Sequence, residues 1–207
     1  IDKAVTEFNK KTGNHLCIHV DAASGGFILP FLKPHVKWDF RLNNVLSIST
    51  SGHKYGLVYP GLGWVIWKDK KYLPSEMAFS VNYLGADITQ VGLNFSRPAA
   101  QVLGQYYQFI RLGFQGYKAI QQNSMEIAEY LHEEIGKMPQ FKNYSNELVN
   151  PLFIWSLNPK YDKVANWTLY DLQYKLQQNG WMVPAYTLPK DLEQCVVMRI
   201  VCRQGFS

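Results

Sequence analysis

Cysteine is scarce. Only Cys17, Cys195 and Cys202 occur in 207 residues, and no two are spaced as Cys-x-x-Cys. An odd count without paired spacing argues against a disulfide framework and favours a reducing compartment, the cytoplasm. Each cysteine lies in or beside an apolar run, where a free thiol behaves as a small hydrophobe. No stretch approaches the roughly 20 apolar residues of a membrane span. No signal-peptide pattern is visible. A Gly-x-Ser-x-Gly elbow is missing, so a nucleophilic hydrolase has little support. His15, His19, His35, His53 and His132 show no metal-ligand spacing. Nor is charge concentrated. The net charge is +5, yet the lysines are scattered and only Lys68, Lys70 and Lys71 sit close together. No basic stripe runs along a helix, so neither nucleic acid nor a membrane surface is an expected partner.

Apolar residues make up 47% of the chain, enough to bury a sizeable core. The chain opens inside an apparent helix, Asp2 to Lys11, and stops just after a strand. Both ends therefore read as cut, and the chain as a piece of a longer protein. Leu16 to Val20 alternates with period two and reads as a strand. His19 and Asp21 share one face of it, at its carboxyl end. Val45 to Ser49 reads as a second strand. Gly63 to Trp67, nearly all apolar, reads as a third, covered on both sides. Phe31 to Leu42 is too short and too proline-broken for a full crossover helix. Loop signals fill residues 74–97. Ala99, Val102, Leu103, Tyr106 and Ile110 then recur at helical spacing, and a second helix spans about Tyr117 to Lys137. Asn143 to Pro151 reads as a connection. Beyond it come a strand at Leu152–Leu157 and a helix capped by Thr168 and Asp171. A short strand near Met182–Tyr186 and a clear one at Val196–Cys202 follow. The order predicts a small α+β domain, and the chain divides at 124/125.

Two residues carry the chemical argument. Asp21 ends one apolar run, and Lys54 follows another in Ser51-Gly52-His53-Lys54-Tyr55-Gly56. A lysine and an aspartate at the ends of neighbouring strands can hold a pyridoxal phosphate ring. The lysine binds its aldehyde as an imine, and the aspartate keeps the ring nitrogen protonated. Such a lysine must shed its proton, which desolvation or a nearby cation favours. The alternative readings are plain: a solvated lysine, and an aspartate that caps the next turn. Four of the five residues from Leu16 to Val20 are apolar, so the Asp21 carboxylate is expected to emerge from a buried strand and to need a cationic partner. His19 reads equally as a group packed on the ring or as a satisfied core histidine. Arg199, mid-strand among Val197, Met198, Ile200 and Val201, reads as a salt-bridge partner or a ligand site.

His19-Val20-Asp21-Ala22-Ala23-Ser24-Gly25-Gly26, Trp38-Asp39-Phe40-Arg41, Ser51 to Gly56, Gly63 to Trp67, Asn94-Phe95-Ser96-Arg97-Pro98 and Met198 to Arg203 are collinear along the chain. Together they resemble the glutamate decarboxylase family of group II pyridoxal-phosphate enzymes, most of all its bacterial, plant and fungal branch. The resemblance implies an α/β chain with the aspartate-aminotransferase-like fold, fold type I. The chain would supply the latter part of the large domain, residues 1–124, and most of the small α+β domain, residues 125–207. It assigns Lys54 the imine, Asp21 the ring nitrogen, and Ala23 and His19 the ring's surroundings. Ser51 and His53 fall at the cofactor phosphate, and Ser96 at the phosphate of a partner subunit's site. Ser96 also reads as a cap on the helix that Pro98 starts. Arg199 matches an arginine that binds a substrate carboxylate, a role its planar fork suits. Ser80 to Asp87 resembles a mobile loop, from which Tyr83 donates a proton or excludes water. A plain surface loop is the competing reading.

The activity implied is decarboxylation of L-glutamate to 4-aminobutyrate and carbon dioxide, by a homodimer or larger homo-oligomer with shared sites. Related decarboxylases act on histidine, aromatic amino acids or cysteine sulfinate, and a sphingoid-phosphate lyase shares the scaffold. From another class comes a silent dimerising module, for which Tyr106, Tyr107, Phe109 and Phe114 would supply the contact surface.

Overall fold

The computed structural model describes residues 1–83, 86–91 and 96–206, with side chains excepted at 81–83 and 86–90. It separates into two compact units, Ile1–Phe114 and Gln115–Ser207.

The first unit begins with helix α1, Asp2–Thr12, which Gly13 closes in the left-handed conformation that a residue without Cβ adopts freely. Strand β1, Ile18–Asp21, pairs in parallel with β2, Val45–Ser51. Between them lie only a 3-10 turn at Gly25–Phe27 and a one-turn helix, α2, Leu29–Leu32, in keeping with the prolines of this stretch. Strand β3, Gly63–Trp67, joins β2 antiparallel, giving the order β1-β2-β3. Ala22, Val45 and Ile48 form the buried heart of this sheet, and Ile18, Val20, Trp38, Phe40 and Leu42 pack on it. β3 departs from the expectation of two covered faces. It is an edge strand here, and Val65 and Ile66 are both exposed.

A hairpin that the pattern did not suggest follows: β4, Phe79–Tyr83, pairs antiparallel with β5, Ala86–Gln90. Helix α3, Ala100–Gly136, comprises two helical stretches, as expected, that meet at Gly113. It is kinked at Gly113, whose φ of 57° and ψ of −167° are not helical.

The second unit holds the later part of α3 and a four-stranded antiparallel sheet. Its strands are β6, Phe141–Asn143; β7, Leu152–Leu157; β8, Ala185–Thr187; and β9, Val196–Val201. Their order is β6-β7-β9-β8. A one-turn helix α4, Pro159–Asp162, and helix α5, Leu169–Gln178, lie between β7 and β8. The expected cap on α5 is present as a reciprocal box. Asp171 N–H donates to Thr168 Oγ1, and Thr168 N–H donates to Asp171 Oδ2 at 2.7 Å. Thr168 Oγ1 also donates to Asp171 Oδ2, at 2.8 Å, and the backbone and side-chain bonds from Thr168 hold Asp171 below its ordinary pKa. Phe153, Trp155, Val197 and Met198 form the core, with the Phe141 ring edge-on to Trp155 at 4.5 Å. Cys202 is buried there and its thiol is pushed up by burial, whereas Cys17 is exposed. No helix among the described residues is long and apolar enough to cross a membrane.

Phe153 is 1% exposed at the centre of this sheet. Phe153→Ala is expected to lower stability by about 3–5 kcal/mol, read as an earlier urea midpoint in the natural polypeptide that carries this chain. A loss below about 1 kcal/mol would show that the second unit does not rest on this core.

Candidate active site at the carboxyl end of a parallel strand pair

Parallel pairing sets the geometry. β1 and β2 run together in register, Asp21 opposite Ser49, so their carboxyl ends open at one edge of the sheet. Such an edge is where open α/β sheets bind ligands. Two backbone bonds stitch the segments that leave the strands there. Ala22 N–H donates to Ser49 O at 2.8 Å, and Ser51 N–H donates to Ala23 O at 3.1 Å. Lys54 follows three residues beyond β2, in a turn whose Lys54 N–H donates to Ser51 O at 3.2 Å. The structure thus brings Asp21, Ala23 and Ser51 together beside the turn that carries His53 and Lys54.

Asp21 is exposed in this chain, which corrects the expectation of a buried carboxylate. β1 is an edge strand, and its carboxyl end meets solvent. Asp21 Oδ1 accepts from Ala23 N–H at 3.0 Å, the capping reading. Among the described residues nothing donates to Oδ2, and the carboxylate makes no ion pair. One oxygen is thereby fixed and the other is left as an acceptor at the sheet edge. That arrangement fits a protonated heterocycle nitrogen.

His19 is neither buried nor idle. Period-two alternation puts it on Asp21's face. Its Nδ1 bonds Ser47 Oγ at 2.8 Å and its Nε2 bonds Ser49 Oγ at 3.2 Å. The two hydroxyls come from the adjacent strand in matching register, so the imidazole lies across the β1–β2 pair. Ser47 escaped the sequence reading. Its signal was the alternation Ser47, Ser49, Ser51, which continues β2 two residues past the expected end. His53 Nδ1 donates to Leu62 O at 3.2 Å, which fixes the proton on that nitrogen.

The remaining candidates lie elsewhere. Ser96 is exposed, and α3 begins only at Ala100, with Ala99 O accepting from Val102 and Leu103 N–H. Ser96 therefore does not cap that helix. Tyr83 ends β4, and its side chain lies outside the described residues, as do Asn94 and Phe95 entirely. Arg199 belongs to the second unit. It is exposed on β9, its guanidinium 5.8 Å from the centre of the Tyr186 ring. No carboxylate among the described residues pairs with it, so the salt-bridge reading is not realised and the fork keeps its donors for an anion.

In the Trp38-Asp39-Phe40-Arg41 segment, Arg41 ties the chain on itself. Its Nε donates to Asp39 Oδ1 at 2.8 Å, and its terminal nitrogens donate to Pro34 O and Val36 O. The guanidinium beside Asp39 holds that carboxyl below its ordinary value.

With this geometry in place, the likeness to known proteins gains meaning. Residues 3–157 match the Pyridoxal-dependent decarboxylase conserved domain. Glutamate decarboxylase beta of Listeria monocytogenes is 50% identical over 209 residues, spanning 100% of this chain and 45% of that protein. A solved glutamate decarboxylase of Lactobacillus brevis superposes with a TM-score of 0.89 at 50% identity, covering 98% of this chain and 45% of its own. A sphingosine-1-phosphate lyase of Burkholderia pseudomallei reaches a TM-score of 0.77 at 20% identity over 98% of this chain and 43% of its own, a likeness of fold alone. The chain spans about half the length of the relatives it matches.

The Asp39–Arg41 pair yields a pH test. A carboxyl whose folded pKa is depressed contributes stability above its unfolded value, near 3.8, and loses it as pH falls through the folded value. Arg41→Ala should raise the Asp39 pKa measured by NMR. The stability gap between wild type and variant should narrow as pH drops below about 4. A gap that stays constant through that range would show the pair contributes nothing electrostatic.

Proposed function

Because the chain belongs to the pyridoxal-dependent decarboxylase family, we propose that the protein carrying it removes the α-carboxylate of L-glutamate as carbon dioxide, leaving 4-aminobutyrate. The observation that supports this most is the shared sheet edge: Asp21 and the Lys54 turn leave parallel strands side by side, stitched by the Ala22–Ser49 and Ser51–Ala23 bonds. Bound pyridoxal phosphate supplies the electron sink into which the carbon–carboxylate bond breaks.

The chain's own residues would then do the following. Lys54 holds the cofactor through its amine, yields that place to the substrate amine, and reclaims it on product release. Asp21 Oδ2 accepts from the ring nitrogen and keeps it cationic, while the Ala23 amide holds Oδ1 still. Ala23 is small enough for a flat ring to lie close. His19, fixed by Ser47 and Ser49, offers its imidazole as a wall on the same face. Ser51 and His53 serve the phosphate, and Ser96 serves it in a partner subunit's site. Arg199 binds a substrate carboxylate, and Tyr83 supplies the proton that replaces the lost carboxylate at Cα or keeps water out.

The same proposal includes a homodimer or larger homo-oligomer, a cytoplasmic location and a division of the whole protein's domains at 124/125. Leu103, Tyr106, Tyr107, Ile110 and Phe114 are all exposed along α3, an apolar area suited to a second copy.

The natural polypeptide that carries this chain should turn yellow with added cofactor. Borohydride reduction should then fix the cofactor on the peptide containing Lys54. Carbon dioxide should be released from L-glutamate and not from histidine, aromatic amino acids or cysteine sulfinate. Fixation on another peptide would remove Lys54 from its role, and release from another amino acid would replace glutamate as the substrate.

A further inference from the structure

Helix α3 faces the wrong way for an ordinary surface helix. Its apolar residues Val102, Leu103, Tyr106 and Ile110, which recur at helical spacing, are 48–69% exposed. Turned inward instead are Gln101, Gln105 and Gln108, spaced four and three apart and so on one side of the helix. Gln105 is 0% exposed.

All three glutamines bond to backbone just past Lys54. Gln105 Nε2 donates to Gly56 O at 2.8 Å, and Gln108 Nε2 donates to Leu57 O at 3.3 Å. Tyr59 N–H donates to Gln101 Oε1 at 3.1 Å. The buried amide enters because two glycines make room. A Cβ on Gly52 would lie 2.5 Å from Gln105 Oε1, and one on Gly56 would lie 2.7 Å from it. Between the gripped carbonyls the backbone is strained. Leu57 has φ of 66°, a left-handed conformation that a bulky side chain rarely adopts. Strain of this kind persists only where the surroundings over-determine it. Here two glutamine amides hold the Gly56 and Leu57 carbonyls, and Val58 N–H donates back to Gly52 O at 3.4 Å.

We propose that Gln105, assisted by Gln101 and Gln108, is the positioning residue of the Lys54 turn, holding residues 52–59 in the strained form that presents the lysine at the sheet edge. None of the three needs to touch substrate. A neutral amide suits this role, because it grips carbonyls as a donor without setting a charge beside the lysine, as a glutamate or lysine would. The proposal rests on the role given to Lys54 above.

The test uses the natural polypeptide that carries this chain, with Gln105→Met and Gln105→Glu. The first keeps bulk without the amide; the second keeps shape without the Nε2 donor. Gln108→Met is the milder variant should the buried changes prevent folding. Three readouts are needed: amide hydrogen exchange of residues 56–59 without cofactor, the pH profile of the absorbance of lysine-bound pyridoxal phosphate, and kcat and KM on L-glutamate. Exchange at 56–59 is expected to quicken about tenfold or more while β9 keeps its protection. The pH profile should be displaced, and kcat should fall about 10–100-fold with KM little changed. Unchanged exchange would overturn the proposal. So would faster exchange with a wild-type pH profile and kcat, since the grip would then be structural only. Wild-type behaviour in Gln105→Glu alone would overturn the role of the Nε2 donor. Absence of lysine-bound cofactor in the wild-type protein would overturn the functional reading itself, before any variant is compared.

Discussion

Two backbone hydrogen bonds just beyond the sheet edge, Ala22 N–H to Ser49 O and Ser51 N–H to Ala23 O, fix the segments that leave β1 and β2 against each other. Everything else at the site depends on that stitch. It exists because the strands are parallel and in register, which sends both carboxyl ends to one edge. An antiparallel pairing of the same residues would send the aspartate and the lysine turn to opposite edges. With the stitch in place, Ala23 can offer its amide to Asp21 Oδ1 while its carbonyl holds Ser51. A single short segment thereby orients the acid and anchors the start of the lysine turn.

The polar groups around this edge are organised in tiers. Asp21 and Lys54 stand at the edge itself. Ser47 and Ser49 lie behind His19, and the two nitrogens of its ring are shared between them. Behind the Lys54 turn stand the glutamines of α3, where a surface helix would normally bury leucines. That exchange is physically coherent. A turn with a left-handed leucine and several outward carbonyls cannot be packed by hydrocarbon without leaving polar groups unmet. The helix meets them with amides and leaves its apolar residues on the outside.

Much of this fold could be read from the residues. Period two found β1, and β2, β7 and β9 were also read as strands. The Thr168–Asp171 spacing found the cap on α5, and the proline-broken stretch after Phe31 excluded a long crossover helix. The break between the two helical stretches of α3 falls at Gly113, one of the two glycines that follow the first stretch. What escaped had physical causes. The β4–β5 hairpin hid among proline and glycine signals. The facing of α3 was not legible, because helical spacing of apolar residues says which residues share a stripe, not which stripe is buried. At the candidate site, the residues singled out the Asp21 and Lys54 segments, which the structure sets side by side at one sheet edge. The exposure of Asp21 was not legible: β1 is an edge strand in this chain, which spans about half the length of the relatives it matches. Ser47 and the glutamines were missed because they act through other residues and match no motif.

The most direct measurement is a crystal structure of the natural polypeptide that carries this chain, grown with pyridoxal phosphate. Continuous density from Lys54 Nζ to the cofactor is expected, with the ring nitrogen about 2.7–2.9 Å from Asp21 Oδ2. A ring bound away from this sheet edge, or one whose nitrogen faces a group other than Asp21, would contradict the assignment.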